Sequence, residues 1–182
     1  MTSAPQNRSL QLLRELEVRC REHAHGLPRQ IEIREEWLGI AFRLGEHRLV
    51  APLDHVTEIL TYPGMSKVPG TKEWVRGIAN IRGNLLPIMD LQSYLQQGRG
   101  VVSGRLSRVL VVNHKGVFSG LVVDEVLGLK HFFPEQRTED LPGGDASLAA
   151  YLLHGFQSGD DHWGVFSLKR LAETPQFLQV AV

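Results

Sequence analysis

Two hydrophobic periods divide this chain. Between residues 10 and 20, Leu12, Leu13, Leu16 and Cys20 recur at intervals of three and four, with Arg14, Glu15, Glu17 and Arg19 among them. That spacing predicts an amphipathic helix. Ser9 offers a side-chain oxygen to its first free N–H groups, and Gly26 and Pro28 stop it. After Glu36 the period drops to two. Leu38, Ile40, Phe42 and Leu44 alternate with Trp37, Gly39, Ala41 and Arg43, which puts four large apolar side chains on one face of a strand.

The same reading continues to the C-terminus. Gly45-Glu46 makes a turn into a strand over 48–52, a helical turn starts at Asp54, and 56–62 is extended. Pro63-Gly64 and Pro69-Gly70 mark loops. Two apolar runs between Trp74 and Leu91 flank Gly83-Asn84, which predicts a hairpin whose turn residues take positive φ there. Pro87 places the second run at an edge or bulge, since proline donates nothing to a ladder. Asp90 caps a short helix over 91–97, and 98–107 is a loop. Strands follow over 108–113, 117–123 and 125–133, the last with a bulge at Gly128. Residues 134–147, rich in Pro, Gly, Asp and Glu, predict a mobile loop. A last hairpin pairs 151–157 with 163–168, and a helix over 167–178 is interrupted near Pro175.

Short strands separated by turn signals about every 8–12 residues predict a mainly β barrel or sandwich. Regular βαβ alternation is absent, which excludes a Rossmann or receiver-type sheet. The organisation is a helical extension and connector over 1–36 followed by a β-rich body from Trp37.

Composition narrows the function. Among 182 residues, 42% are hydrophobic, an ordinary globular value, and 20 basic side chains balance 20 acidic ones. A neutral chain lacks the basic field of a dedicated nucleic-acid binder. The single cysteine, Cys20, excludes an internal disulfide and fits a reducing compartment. No apolar run reads as a signal peptide or membrane span, so the expected location is cytoplasmic, without membrane insertion.

Chemistry is sparse. The eight histidines have no metal-ligand spacing, and His23 and His25 point to different sides of a helix. Ser119 lies in Gly116-Val117-Phe118-Ser119-Gly120, which is not a nucleophile elbow and reads as strand. Gly143-Gly144 is followed by Asp145, whose charge repels phosphate. Asp160-Asp161-His162 reads as a polar hairpin tip, and Arg99, Arg105 and Arg108 as a solvated loop or a patch for an acidic partner. No catalytic group, metal or cofactor is expected. The competing class, a small-molecule-binding barrel or an enzyme, requires a pocket with converging polar groups.

Residues that shape backbone concentrate over 77–90. There the chain reads Gly77-Ile78-Ala79-Asn80-Ile81-Arg82-Gly83, then Leu85-Leu86-Pro87-Ile88-Met89-Asp90-Leu91. Upstream stands Val56-Thr57-Glu58-Ile59, and downstream Gly120-Leu121-Val122-Val123-Asp124-Glu125-Val126. These three motifs, in this order, resemble the CheW family of adaptors. The Trp37-x-Gly39-Ile40-x-Phe42-Arg43 opening and the N-terminal Leu/Arg helix are similar to the branch of that family controlling type IV pili and twitching motility.

The resemblance covers 37–172 as a CheW-like domain, sets 173–182 apart as a C-terminal tail, and implies two small five-stranded β-barrels packed together, to which the periodicity adds N-terminal and C-terminal helices. It implies a non-catalytic scaffold between a CheA-type histidine kinase and a methyl-accepting chemoreceptor, with interfaces able to extend into arrays. It marks Val56, Glu58, Ile59, Asn80, Arg82, Gly83, Ile88, Asp90 and Asp124 as partner-binding or structural positions. Glu58 and Arg82 are expected to form an ion pair between neighbouring strands, which either pins the barrel or meets a partner. Val56, Ile59 and Ile88 either line an apolar groove for the receptor's helical tip or pack in the core.

Overall fold

Most of the short strands bury one face or both, and the chain folds so that two curled sheets share their apolar faces. The computed structural model describes residues 6–23, 35–96, 104–141 and 146–182. Gly26 and Pro28, residues 29–34, Arg99 and Gly143-Gly144 lie outside the described residues, as does the side chain of Ser9. The first helix, α1 (Gln6–His23), forms a unit separate from the body that begins at Glu35. It starts three residues before the expected cap at Ser9.

In the body, β1 (Trp37–Leu44), β2 (His47–Pro52), β8 (Glu125–Phe132), β9 (Arg137–Thr138), β10 (Leu152–Ser158) and β11 (Asp161–Phe166) form the first sheet, ordered β8-β1-β2-β11-β10-β9. The second contains β3 (Glu58–Thr61), β4 (Val75–Ile81), β5 (Asn84–Asp90), β6 (Arg108–His114) and β7 (Val117–Val123), ordered β3-β6-β7-β5-β4. Short helices α2 (Leu91–Leu95), α3 (Ala146–Ala149), α4 (Leu168–Glu173) and α5 (Pro175–Leu178) complete the body.

Both sheets curl. In a flat ladder, four strand spacings would hold β8 and β10 roughly 19 Å apart. Phe132 of β8 and Phe156 of β10 instead stack with ring centroids 4.5 Å apart. Together with Ala41, Val50, Trp163 and Val165 they fill the inside of the first sheet. The second sheet closes through backbone. Ser66, beyond β3, exchanges two 2.9 Å hydrogen bonds with Ile78 of β4. Gly77 makes that approach feasible: its φ is +144°, and a Cβ there would lie 2.3 Å from the Ser66 carbonyl oxygen. Ala79, Leu86, Ile88, Val109, Val111 and Val122 fill this barrel.

The alternation in β1 now has two destinations. Ile40, Phe42 and Leu44 join Leu110, Val112, Leu121 and Val123 of the second sheet in one shared core, while Ala41 faces the first barrel's interior. Residues 173–182, set apart in the sequence as a tail, contribute to the shared core. Phe177 of α5 is buried and stacks on Trp74 at 5.6 Å. Lys72 donates its N–H to the Val180 carbonyl at 3.0 Å, pinning the last residues.

Two sequence expectations change. The hairpin turn between β4 and β5 centres on Arg82 (φ 53°) and Gly83 (φ 87°), one residue earlier than Gly83-Asn84. Asn84 pairs with Ile81 instead, because a two-residue turn of this hand requires positive φ at both central positions. Residues 134–147 are not simply a loop. A single 3-10 turn over Pro134–Gln136 leads into β9, which pairs with β10 and gives the first sheet a sixth strand, and α3 begins at Ala146. The Gln136 side chain accepts the Phe133 N–H at 2.8 Å, a local tie that composition does not reveal. The Gly128 bulge in β8, the Asp90 cap and the break at Pro175 stand where the sequence puts them.

The C-terminal anchor gives a direct test. Phe177→Ala empties a fully enclosed site and is expected to lower unfolding free energy by about 3–5 kcal/mol in urea titration.

Candidate functional site

The nine marked residues separate into a surface, a packed interior and two buried fasteners. The surface is the open end of the second sheet. Asn80 on β4 accepts the Gly83 N–H through its side-chain oxygen at 2.9 Å, bracing the tight turn. Arg82, held in the left-handed region by that turn, donates from Nη2 to Glu58 Oε1 of β3 at 2.8 Å. β3 and β4 are opposite edges of the ladder, so the pair spans the closure of the barrel. Arg82 is 79% exposed and Glu58 33%, so solvent screens this pair. Ile59 and Leu85 leave apolar side chains exposed on β3 and β5.

Ile88 is fully buried inside the second barrel. Val56 is half-buried against the shared core. The space between the sheets is therefore filled with side chains, and an apolar contact has only its rim to use.

Asp90 lies at the far end of β5, six residues from the turn. It is 1% exposed, and its two oxygens are divided between two tasks. Oδ1 accepts the Ser93 N–H at 2.9 Å, capping α2. Oδ2 accepts from the Arg76 guanidinium, at 3.0 Å to Nε and also to Nη2. Its own N–H bonds to the Trp74 carbonyl at 2.8 Å. Asp124, at the crossing from β7 to β8, accepts the Gly45 N–H through Oδ2 at 2.6 Å and pairs with Arg43 at 3.5 Å. It ties the second sheet's last strand to the first sheet's opening turn.

Sequence reasoning placed the carboxylates but missed their partners. Arg43 closes the quoted opening motif and Arg76 stands just before Gly77, yet nothing in their spacing shows that they reach Asp124 and Asp90. Leu85 was also missed, although an apolar residue beside a turn was its available signal.

The geometry offers no catalytic constellation among the described residues. A cleft of about 620 Å³ contains Ser107 and Asp124, but each is committed to backbone: Ser107 Oγ accepts the Gly104 N–H, and Asp124 accepts that of Gly45. A second cleft of about 590 Å³ is bordered by Trp37, His154 and Phe156 with Glu35, Glu36 and Arg137, and holds no nucleophile. Among the described residues no three His, Cys, Asp or Glu side chains converge as metal ligands, and no helix is long and apolar enough to cross a membrane.

Comparisons with known proteins agree with this arrangement. The CheW-like domain model matches residues 38–176. The chain is 45% identical to protein PilI of Pseudomonas aeruginosa over 172 residues, covering 94% of this chain and 96% of that protein. It is 29% identical to protein FrzA of Myxococcus xanthus over 152 residues, covering 82% and 94%. The crystal structure of scaffolding protein TtCheW from Thermoanaerobacter tengcongensis superposes with a TM-score of 0.65 at 24% identity, covering 78% of this chain and 96% of that one, and shows the same fold.

Two expectations separate surface from fastener. Arg82→Ala is expected to change unfolding free energy by only ~0–1 kcal/mol, whereas Asp90→Ala leaves Arg76 beside an emptied buried site and costs about 3–5 kcal/mol, both read from urea midpoints. His55, just before Val56, adds a pH dependence. Burial, then the Lys169 charge, hold its pKa below the usual 6.5, against the pull of Asp54. The unfolded chain therefore takes up the proton first, and stability falls as pH drops through 6.5, levelling below the folded value. His154 is lowered in the same sense, chiefly by burial. His55→Asn is expected to reduce the slope of stability against pH between 7 and 5 without abolishing it.

Proposed function

The chain belongs to the CheW-like domain family, and we propose that it is the adaptor through which a methyl-accepting chemoreceptor controls a CheA-type histidine kinase in a system that governs type IV pili and twitching motility. As a CheW-like adaptor it carries out no bond chemistry. The observation that carries the reading is the braced turn at Arg82-Gly83. It is exposed and held by the Asn80 brace, a combination that suits a docking surface. Its conformation costs something: a non-glycine residue at positive φ is worth about 1–3 kcal/mol, which the Asn80 brace and the hairpin ladder offset. The same device occurs at Lys115-Gly116, which also carries an ion pair, to Glu173, and an exposed neighbour, Phe118, so the turn alone does not mark a site; the CheW-like motif over 77–91 supports choosing Arg82-Gly83.

In this reading the receptor's helical tip lies along the rim near Val56 and Ile59, and the kinase's regulatory domain docks against an end of a barrel. Apolar Ile59 and Leu85 supply contact area, and Arg82 with Glu58 supplies orientation. The adaptor transmits a receptor's state by binding one kinase conformation better than another. The high identity to PilI over nearly the whole chain supports the pilus assignment, and the protein acts in the cytoplasm.

Co-purification of the full chain with a purified CheA-type kinase, with and without a receptor fragment, tests this. A complex is expected, and Arg82→Ala with Leu85→Asp is expected to weaken it about tenfold or more at an unchanged melting temperature. Capture that ignores both substitutions would place docking elsewhere, and no capture at all would remove the adaptor assignment.

A further inference from the structure

We propose that the cleft beside β1 and β10 receives the guanidinium of an arginine side chain on a partner protein, held between the Trp37 and His154 rings and the carboxylates of Glu35 and Glu36. The cleft belongs to the first sheet and the hairpin tip to the second, so the inference goes beyond the adaptor reading and does not rest on it.

The Trp37-x-Gly39 opening has no part at the hairpin tip, and the fold shows what it builds instead. The Trp37 indole lies against Gly39, where a Cβ would stand 2.6 Å from the ring and 2.6 Å from Val50. A side chain at that position would lift the indole off the sheet. So placed, the indole tilts on Phe156 at 5.1 Å and meets His154 edge-on at 6.5 Å. Phe156 is 3% exposed and forms a floor, 5.1 Å from the imidazole as well. Trp37 and His154 are half-buried, and both border the cleft of about 590 Å³.

The charges at the rim choose the occupant. Glu35, Glu36 and Arg137 line the cleft with Pro134. Glu36 Oε2 is shared with His131 Nδ1 at 2.9 Å, and Arg137 Nε faces Glu139 at 3.8 Å. Glu35 is exposed and pairs with no other described residue. The rim therefore has a carboxylate to spare, while its one arginine already faces a carboxylate. Burial, then the Arg137 charge, hold the His154 pKa below 6.5 against the pull of Glu139, so at pH 7 the imidazole is an uncharged wall.

Aromatic walls beside an unpaired carboxylate suit a guanidinium. Its flat face stacks on an indole, and its edge presents two parallel N–H groups to a carboxylate. A lysine ammonium has no such fork. Free arginine would bring a carboxylate of its own, and with Arg137 turned to Glu139 the cleft holds no unengaged cation for it. An arginine side chain carried by a protein brings the guanidinium alone.

NMR titration of the full-length protein with acetyl-Gly-Arg-Gly-amide tests this. The Trp37 indole N–H is expected to shift saturably at millimolar peptide, while those of the buried Trp74 and Trp163 stay in place. The same peptide with citrulline, the neutral isostere, in place of arginine is expected to give no saturable shift, and the lysine peptide to bind more weakly. Glu35→Gln with Glu36→Gln is expected to weaken the arginine peptide about tenfold or more at an unchanged melting temperature. No saturable shift at Trp37, equal binding of the citrulline or lysine peptide, binding that survives the double substitution, or tighter binding of free L-arginine than of the peptide would each overturn the proposal.

Discussion

The buried carboxylate of Asp90 is the constraint around which the second sheet is organised. A charge with 1% exposure is tolerated only when its oxygens are occupied, and here both are. One caps α2, the other binds Arg76 of β4, and the neighbouring N–H reaches Trp74. Because Trp74 stacks on Phe177, the same knot connects the base of the β4–β5 hairpin to the C-terminal helix and to the core shared by the two sheets. At the crossing between sheets Asp124 works through a single oxygen: Oδ2 accepts from Gly45 and Arg43 and fastens the β1–β2 turn to the end of β7, while Oδ1 has no hydrogen-bond partner among the described residues.

Fixing one end of the hairpin this way frees the other. The turn at Arg82-Gly83 does not have to hold the barrel together, since Ser66 and Ile78 close it by backbone bonds and Gly77 admits their approach. The side chains at the tip can then be chosen for contact. An exposed arginine with a carboxylate partner, beside apolar Ile59 and Leu85, presents charge and surface on a rigid support. On the proposed function, stability and recognition occupy opposite ends of the same two strands.

What could be read from the sequence follows from what is local. The alternation over 37–44 identifies β1 because side-chain direction in a strand has period two. Asp90 announces a cap because its oxygen needs only the N–H three residues on, and Gly128 announces a bulge because it lacks a Cβ. What was hidden is what depends on partners far along the chain. Phe177 looks like a tail residue until Trp74 is beside it, and β9 is two residues whose only reason to be extended is the edge of β10. The turn centre was misplaced by one because Gly83-Asn84 and Arg82-Gly83 both contain the permissive glycine, and strand register selects between them. Among the marked positions, the sequence did not distinguish Ile88, sealed in the barrel, from Ile59, exposed on its edge.

The central claim is that the hairpin tip is a docking surface and its base a structural knot. Amide hydrogen exchange of the chain, alone and saturated with a CheA-type kinase, measures this most directly. Protection should increase at residues 82–85 and on β3, while that of the buried residues 88–90 stays unchanged. Equal exchange at the tip in both states, with protection appearing only on surfaces of the first sheet, would contradict the account.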